Sequence, residues 1–153
     1  MGRSTIMEGS AQNFSITKWD IERLIAELGH KDVKNRIVII MELGRRKDVS
    51  AIEGLTKLVL NDLNSEIRGH AILAMGKIAL GALRKDLEKD IGISSDTMSM
   101  LGNMYSTFEL VMAPLKSLLY EGEDVCIIHT PISDSIRIVK EEINQALREA
   151  KTG

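Results

Sequence analysis

Residues 51–79 read AIEGLTKLVLNDLNSEIRGHAILAMGKIA. Ile52, Leu55, Leu58 and Val59 recur at the three-to-four spacing of one helix face as far as about Asn61, in a helix that begins at Asp48 or Ser50. Asn64 is placed to cap a second run, in which Ile67, Ala71, Ala74, Met75 and Ile78 keep the same spacing. So short a connection between two apolar stripes forces the helices to fold back on each other as an antiparallel hairpin. The second helix extends past Gly81 through Leu83, Leu87 and Ile91 to Gly92, with Arg84, Lys85, Asp86, Glu88, Lys89 and Asp90 as a solvated face.

The same grammar holds on either side. Upstream, Thr17 is the expected cap of a helix over 18–28, carrying Trp19, Ile21, Leu24, Ile25 and Leu28 and stopped by Gly29. Asp32 then caps Val33 to Leu43, where Val33, Ile37, Ile40 and Met41 form one stripe, Val38 and Ile39 widen it, and Gly44 ends the run. Downstream, Ser94 or Ser95 caps a Met-rich stretch, Pro114 interrupts or starts the next run, and a helix is expected over about 107–120. Residues 122–133 read as an irregular connection, after which Ser133 caps a closing helix from Asp134 to about Ala150. The fold class is all-α.

Shifting the chain by 34 residues lays Ile21, Leu24, Ile25, Val33, Ile37, Ile40 and Met41 on Leu55, Leu58, Val59, Ile67, Ala71, Ala74 and Met75, and Lys34 on Arg68. With its turn residue Asp62, its Ile67-Arg68 pair and the inner-helix set Ala71, Ala74, Met75 and Gly76, the stretch resembles the HEAT-like helical repeat. Residues 18–44 look like a degenerate copy, with Leu28 at the turn position and Lys34 in place of the arginine. A third copy, over about 107–150, joins Ala113-Pro114-Leu115 and Tyr120 to Ser135-Ile136-Arg137 and needs extra residues in its turn, where Gly122 takes the Asp position. The resemblance implies a short right-handed stack of antiparallel hairpins in one domain, 16–153, with repeats at about 18–44, 49–80 and 107–150 and an irregular insertion at 81–106. Residues 1–15, polar and without helical periodicity, are expected to be a mobile tail. A tetratricopeptide array has a similar period, but its Leu-Gly and Tyr pattern does not follow Trp19.

Composition bounds the function. The 153 residues are 44% apolar, 27% charged and 3% aromatic with a formal charge of −2, which gives an aliphatic, Met-filled core and no general attraction for phosphate backbones. Cys126 is the single cysteine, no stretch approaches the ~20 apolar residues of a membrane span, and Ile6 stands where a myristoylation signal needs Ser or Thr. The expected location is the cytoplasm, without membrane attachment.

No catalytic, cofactor or metal site emerges. HEAT-like iron-dependent hydroxylases use His-Glu dipeptides, whereas the histidines here precede Lys31, Ala71 and Thr130. Cys126 and His129 have the separation of two ligands, but a structural zinc site needs four. His70 lies in an apolar stripe with no nucleophile or carboxylate placed to work with it. The resemblance makes Asp62 and Arg68 a structural ladder that ties turns and neighbouring repeats together. Two segments could meet a partner: the basic stretch 31–47, with Lys34, Arg45, Arg46 and Lys47, and the Met-rich stretch, with Met100 and Met104. A non-catalytic scaffold binding another protein, with self-association open because so few repeats are barely capped, is the leading expectation. A nucleic-acid-binding module using 31–47 is the alternative, disfavoured because no aromatics interleave to stack bases.

Overall fold

The computed structural model describes residues 16–121 and 130–152, with side chains given for 16–114 and 130–151. The expected tail at 1–15, and Gly122, Cys126 and His129, lie outside these residues. The chain is all-α: α1 (Ile21–Ala26), α2 (Val33–Arg46), α3 (Ile52–Asn61), α4 (Ser65–Glu88), α5 (Ser95–Glu121) and α6 (Pro131–Thr152), with no strand among the described residues.

Local chemistry explains the boundaries, several of which differ from the sequence reading. Asp20, not Thr17, caps α1 by accepting from the Arg23 amide at 2.9 Å; Trp19 lies before the helix with the Arg23 guanidinium 3.7 Å over its ring. Asp32 and Asn64 cap α2 and α4 as expected. Gly44 does not end α2, which continues to Arg46 and stops where Lys47 turns left-handed at φ 57°. α4 ends at Glu88, short of Gly92, with Asp90 left-handed.

α5 is one helix from Ser95 to Glu121, so Pro114 neither starts nor breaks it. Proline withdraws one amide from the carbonyl of residue 110, at a solvent-facing position of the helix where Leu110 is 64% exposed. α6 begins at Pro131 rather than Asp134. Thr130 and Ser133 cap it reciprocally, the Ser133 amide donating to Thr130 Oγ1 and the Thr130 amide to Ser133 Oγ, each at 3.0 Å, with proline at the first helical position. Residues 81–106 accordingly comprise the end of α4, a loop and the first half of α5.

Two layers result. α4 is the central strut, packed by α2 on one side and α6 on the other and backed by α3 and α5; α1 and the turn that follows it meet α3 where Ile25 and Leu28 approach Gly54. The inner helices α2, α4 and α6 run parallel, because Gly44 meets Ala74 while Lys47 meets Gly81, and Gly69 meets Pro131 while Gly76 meets Val139. Leu24, Ile39, Ile40, Leu43, Leu55, Ile67, Ile72 and Ile78 are wholly buried between the layers. With so few aromatics, this aliphatic core depends on close backbone approach. A Cβ on Gly44 would lie 3.1 Å from the Ala74 Cα, and one on Gly76 would lie 2.5 Å from Val139 Cγ2.

The burial pattern revises the internal offset. Asp32 and Asn64 cap equivalent helices, Gly44 and Gly76 sit at equivalent crossings, and the buried set Asn35, Ile39, Ile40, Leu43 falls on Ile67, Ala71, Ile72, Met75, all 32 residues apart. The 34-residue shift therefore pairs the inner helices two residues out of phase. Met41, read as part of the buried stripe, is 57% exposed.

Candidate functional site

The inner layer carries the open surface. Between α2 and α4, a groove is lined by Val38, Met41 and Leu73, bordered by Ile16, and edged by Arg45 and Lys77. Its larger cavity is about 410 Å³ and shares Met41 and Lys77 with a smaller one of about 130 Å³ that reaches Gly44 and His70. The Gly44–Ala74 approach forms the bottom, and Lys77 Cδ lies 3.5 Å from where a Gly44 Cβ would be. His70 also borders a shallow cavity against α6, lined by Gly69, Leu73, Pro131 and Ser135, so the α4 ridge faces both neighbours.

Electrostatics in the groove centre on Glu42. Its side chain is 8% exposed and takes Arg45 Nε at 2.9 Å, Arg45 Nη2 at 2.6 Å and Arg46 Nε at 2.7 Å. The Arg45 hydrogen bond, with Arg46, holds the Glu42 carboxyl below its usual range against the opposing effect of burial, and raises the Arg45 guanidinium in turn. Arg46 also donates to the Ile16 and Thr17 carbonyls at 3.3 and 3.1 Å, tying the segment before α1 to the end of α2. One carboxylate between two guanidiniums leaves a net positive charge, carried outward by Arg45, whose side chain is 65% exposed. Lys77 adds a second cation one helix away, and no carboxylate pairs with it among the described residues.

The residues singled out from sequence are dispersed differently from that reading. Lys34 sits exposed in the first turn of α2, at the opposite end of the helix from Arg45, Arg46 and Lys47, so the four form no single basic patch. Arg46 is spent on internal bonds, and the Lys47 aliphatic chain lies over Gly81. Met104 is 1% exposed among Leu101, Phe108 and Val111, and cannot offer a docking thioether from the folded state; Met100 is half-buried. Tyr105 beside them stacks edge-on to Phe108 at 6.1 Å, and burial pushes its phenol up.

Asp62 and Arg68 are not partners of each other. Asp62 receives the Arg36 guanidinium from α2 and the Asn64 amide at 2.9 Å, while Arg68 Nε donates to the Val59 carbonyl at 2.7 Å. The link between hairpins thus runs through Arg36, while Arg68 ties the end of α3 to the start of α4. The sequence places Arg36 within the basic stretch 31–47 but does not announce its tie to Asp62, and Lys77 and the outward face of Met41 and Leu73 are not singled out. The signal was present in the spacing Met41–Arg45 and Leu73–Lys77, which the correct offset of 32 aligns.

A row of parallel inner helices backed by antiparallel outer ones, joined through an acidic turn residue, is the arrangement of a helical-repeat stack, and the family model for HEAT repeats matches residues 21–90. Residues 21–90 are HEAT repeats. No curated protein and no solved structure matches the chain. HEAT repeats commonly serve as protein-interaction scaffolds and are generally non-catalytic. Among the described residues no three His, Cys, Asp or Glu side chains converge as a metal site, and no helix is long and apolar enough to cross a membrane.

Proposed function

We propose that this chain is a non-catalytic, cytoplasmic scaffold that binds another protein through the open face of its inner helices. In this reading residues 16–153 are one domain of three hairpins, α1–α2, α3–α4 and α5–α6, with Asp62, Arg36 and Arg68 as its structural ties. The observation that carries it is the exposed Met41 beside the half-buried Leu73, flanked by the cations Arg45 and Lys77, on a face that no helix covers among the described residues. Apolar groups so placed gain from a partner that removes them from water.

The basic segment 31–47 supports the nucleic-acid alternative less well, since its charges are split between the ends of α2 and two of them hold Glu42. The test pairs two measurements on the full chain. Immobilised protein should retain from the source cell a protein that re-forms the complex when both are purified, and should leave a labelled DNA duplex unshifted at low salt. A duplex bound with steep salt dependence, and no protein complex, would overturn the proposal.

A further inference from the structure

At the offset of 32 the open faces of α2 and α4 repeat a two-residue pattern: Met41 followed by Arg45, and Leu73 followed by Lys77. Each is an apolar side chain with a cation one helical turn further on. Because α2 and α4 run parallel, both cations lie on the same flank of the apolar pair. Neighbouring inner helices stand about 8–10 Å apart, so the two apolar contacts are separated by about that distance across the stack.

A partner must match this spacing. On an α-helix two residues seven apart share a face and are about 10.5 Å apart. Along an extended strand, residues on one face fall at multiples of about 6.6 Å, and about 6.6 or 13 Å lies further outside the interval of about 8–10 Å than the helical spacing of about 10.5 Å. The cationic flank requires carboxylates beside the apolar stripe. The one carboxylate within the groove, Glu42, is buried and bonded to Arg45 and Arg46, so it does not repel an incoming acid.

We propose that the α2–α4 groove binds an acidic amphipathic helix of a partner protein, laid across the inner helices with two apolar anchors seven residues apart on Met41 and Leu73 and with carboxylates toward Arg45 and Lys77. This rests on the scaffold reading and names the partner's chemistry.

The probe is a phage-displayed library of randomised helical peptides, selected on the full-length protein. Enriched sequences should share two large apolar residues seven apart with Asp or Glu along one side. Lys77→Glu and Met41→Asp should each weaken the best peptide about tenfold or more, a loss typical of a central contact. Met41 and Lys77 are solvent-facing, and unchanged circular dichroism melts keep these variants interpretable; Leu73→Asp, at a half-buried position, is the third.

Peptides that are basic or uncharged, peptides that bind the three variants as tightly as wild type, or no enrichment at all would overturn the proposal. A chain lacking residues 1–15 that binds the peptide more than about tenfold tighter would name this chain's own N-terminal segment as the occupant, and loss of a dimer in Met41→Asp would name a second copy; either overturns it. A cellular partner captured equally by wild type and Lys77→Glu would leave the scaffold reading standing and remove this one.

Discussion

Gly76 is where the α4–α6 crossing is most sensitive to a single methyl. An alanine Cβ there would sit 2.5 Å from Val139 Cγ2, 2.9 Å from Cγ1 and 3.1 Å from Cβ. In an open helix Gly→Ala would add about 1 kcal/mol of stability. Here all three obstructing atoms belong to one β-branched side chain that is 1% exposed and holds one preferred rotamer in a helix. Overpacking costs about 1–3 kcal/mol, and a side chain unable to swing aside places this site near the upper end. The net for Gly76→Ala is a loss of about 2 kcal/mol, or roughly 4–8 °C in Tm for a domain of this size.

Val139→Ala supplies the control. Alone it removes two buried methyls, with a loss of about 1–3 kcal/mol. In its presence the new alanine faces only the residue-139 Cβ, so Gly76→Ala should become neutral or stabilising by up to about 1 kcal/mol, a coupling of roughly 2–3 kcal/mol. Urea unfolding followed by far-ultraviolet circular dichroism gives all four corners, with m-values held constant as the check that only stability has changed. If the two effects add, or if Gly76→Ala stabilises the wild type, α4 and α6 do not cross at this residue.

Other sites have equally definite expectations. Gly44→Ala should lose about 1–3 kcal/mol, and Ala74→Gly should rescue it only in part, because the Ala74 Cα at 3.1 Å is backbone; full rescue in denaturant melts would refute that geometry. Arg36→Ala should destabilise by about 1–3 kcal/mol by leaving the part-buried Asp62 carboxylate beside no guanidinium, with Asp62→Asn adding little on top of it; additive losses would show that the two residues do not interact. Arg68→Ala should lower stability by about 1.5–3 kcal/mol through loss of its charged bond to the Val59 carbonyl, and an unchanged Tm would remove Arg68 from the structural ties. Glu42 is held below its ordinary value of 4.5, so its contribution is present above that pH and is lost as pH falls through the folded value. Wild type should therefore exceed Glu42→Gln in stability at pH 7, with the gap closing in acid; a gap that persists there would assign the effect to packing.

Helix existence and the hairpin order were legible because caps and stripes are local: Asp32 and Asn64 announce α2 and α4 outright. The phase of α2 was not. Five consecutive apolar residues, Ile37 to Met41, leave no polar position to mark the outside, and only the placement of α1 and α4 decides that Ile39 and Ile40 are buried while Met41 is left open. Gly44 misled for a related reason. A glycine that ends a helix and one that admits a neighbouring backbone are identical in sequence, and Gly76 at the matching position was the cue that separates them. Pro131 was passed over as the start of α6 because Ser133 is also a good cap; the structure uses both hydroxyls, Thr130 from outside the helix and Ser133 from its third position.

Glu42 joins the fold to the groove. A buried carboxylate is ordinarily a cost, offset here by three charged hydrogen bonds. Those bonds fix the Arg45 guanidinium through Nε and Nη2 and leave Nη1 for a partner, so this cation meets an incoming acid already ordered, unlike Lys77 on its flexible stem. Loss of Glu42 would free Arg45 to move and would also release Arg46 from the end of α2, where it holds the carbonyls of Ile16 and Thr17, which border the groove. Glu42→Gln should therefore weaken capture of an acidic helix even though it makes the groove more positive. An affinity that rises with the added positive charge would show that net charge, and not a pre-ordered Arg45, governs recognition.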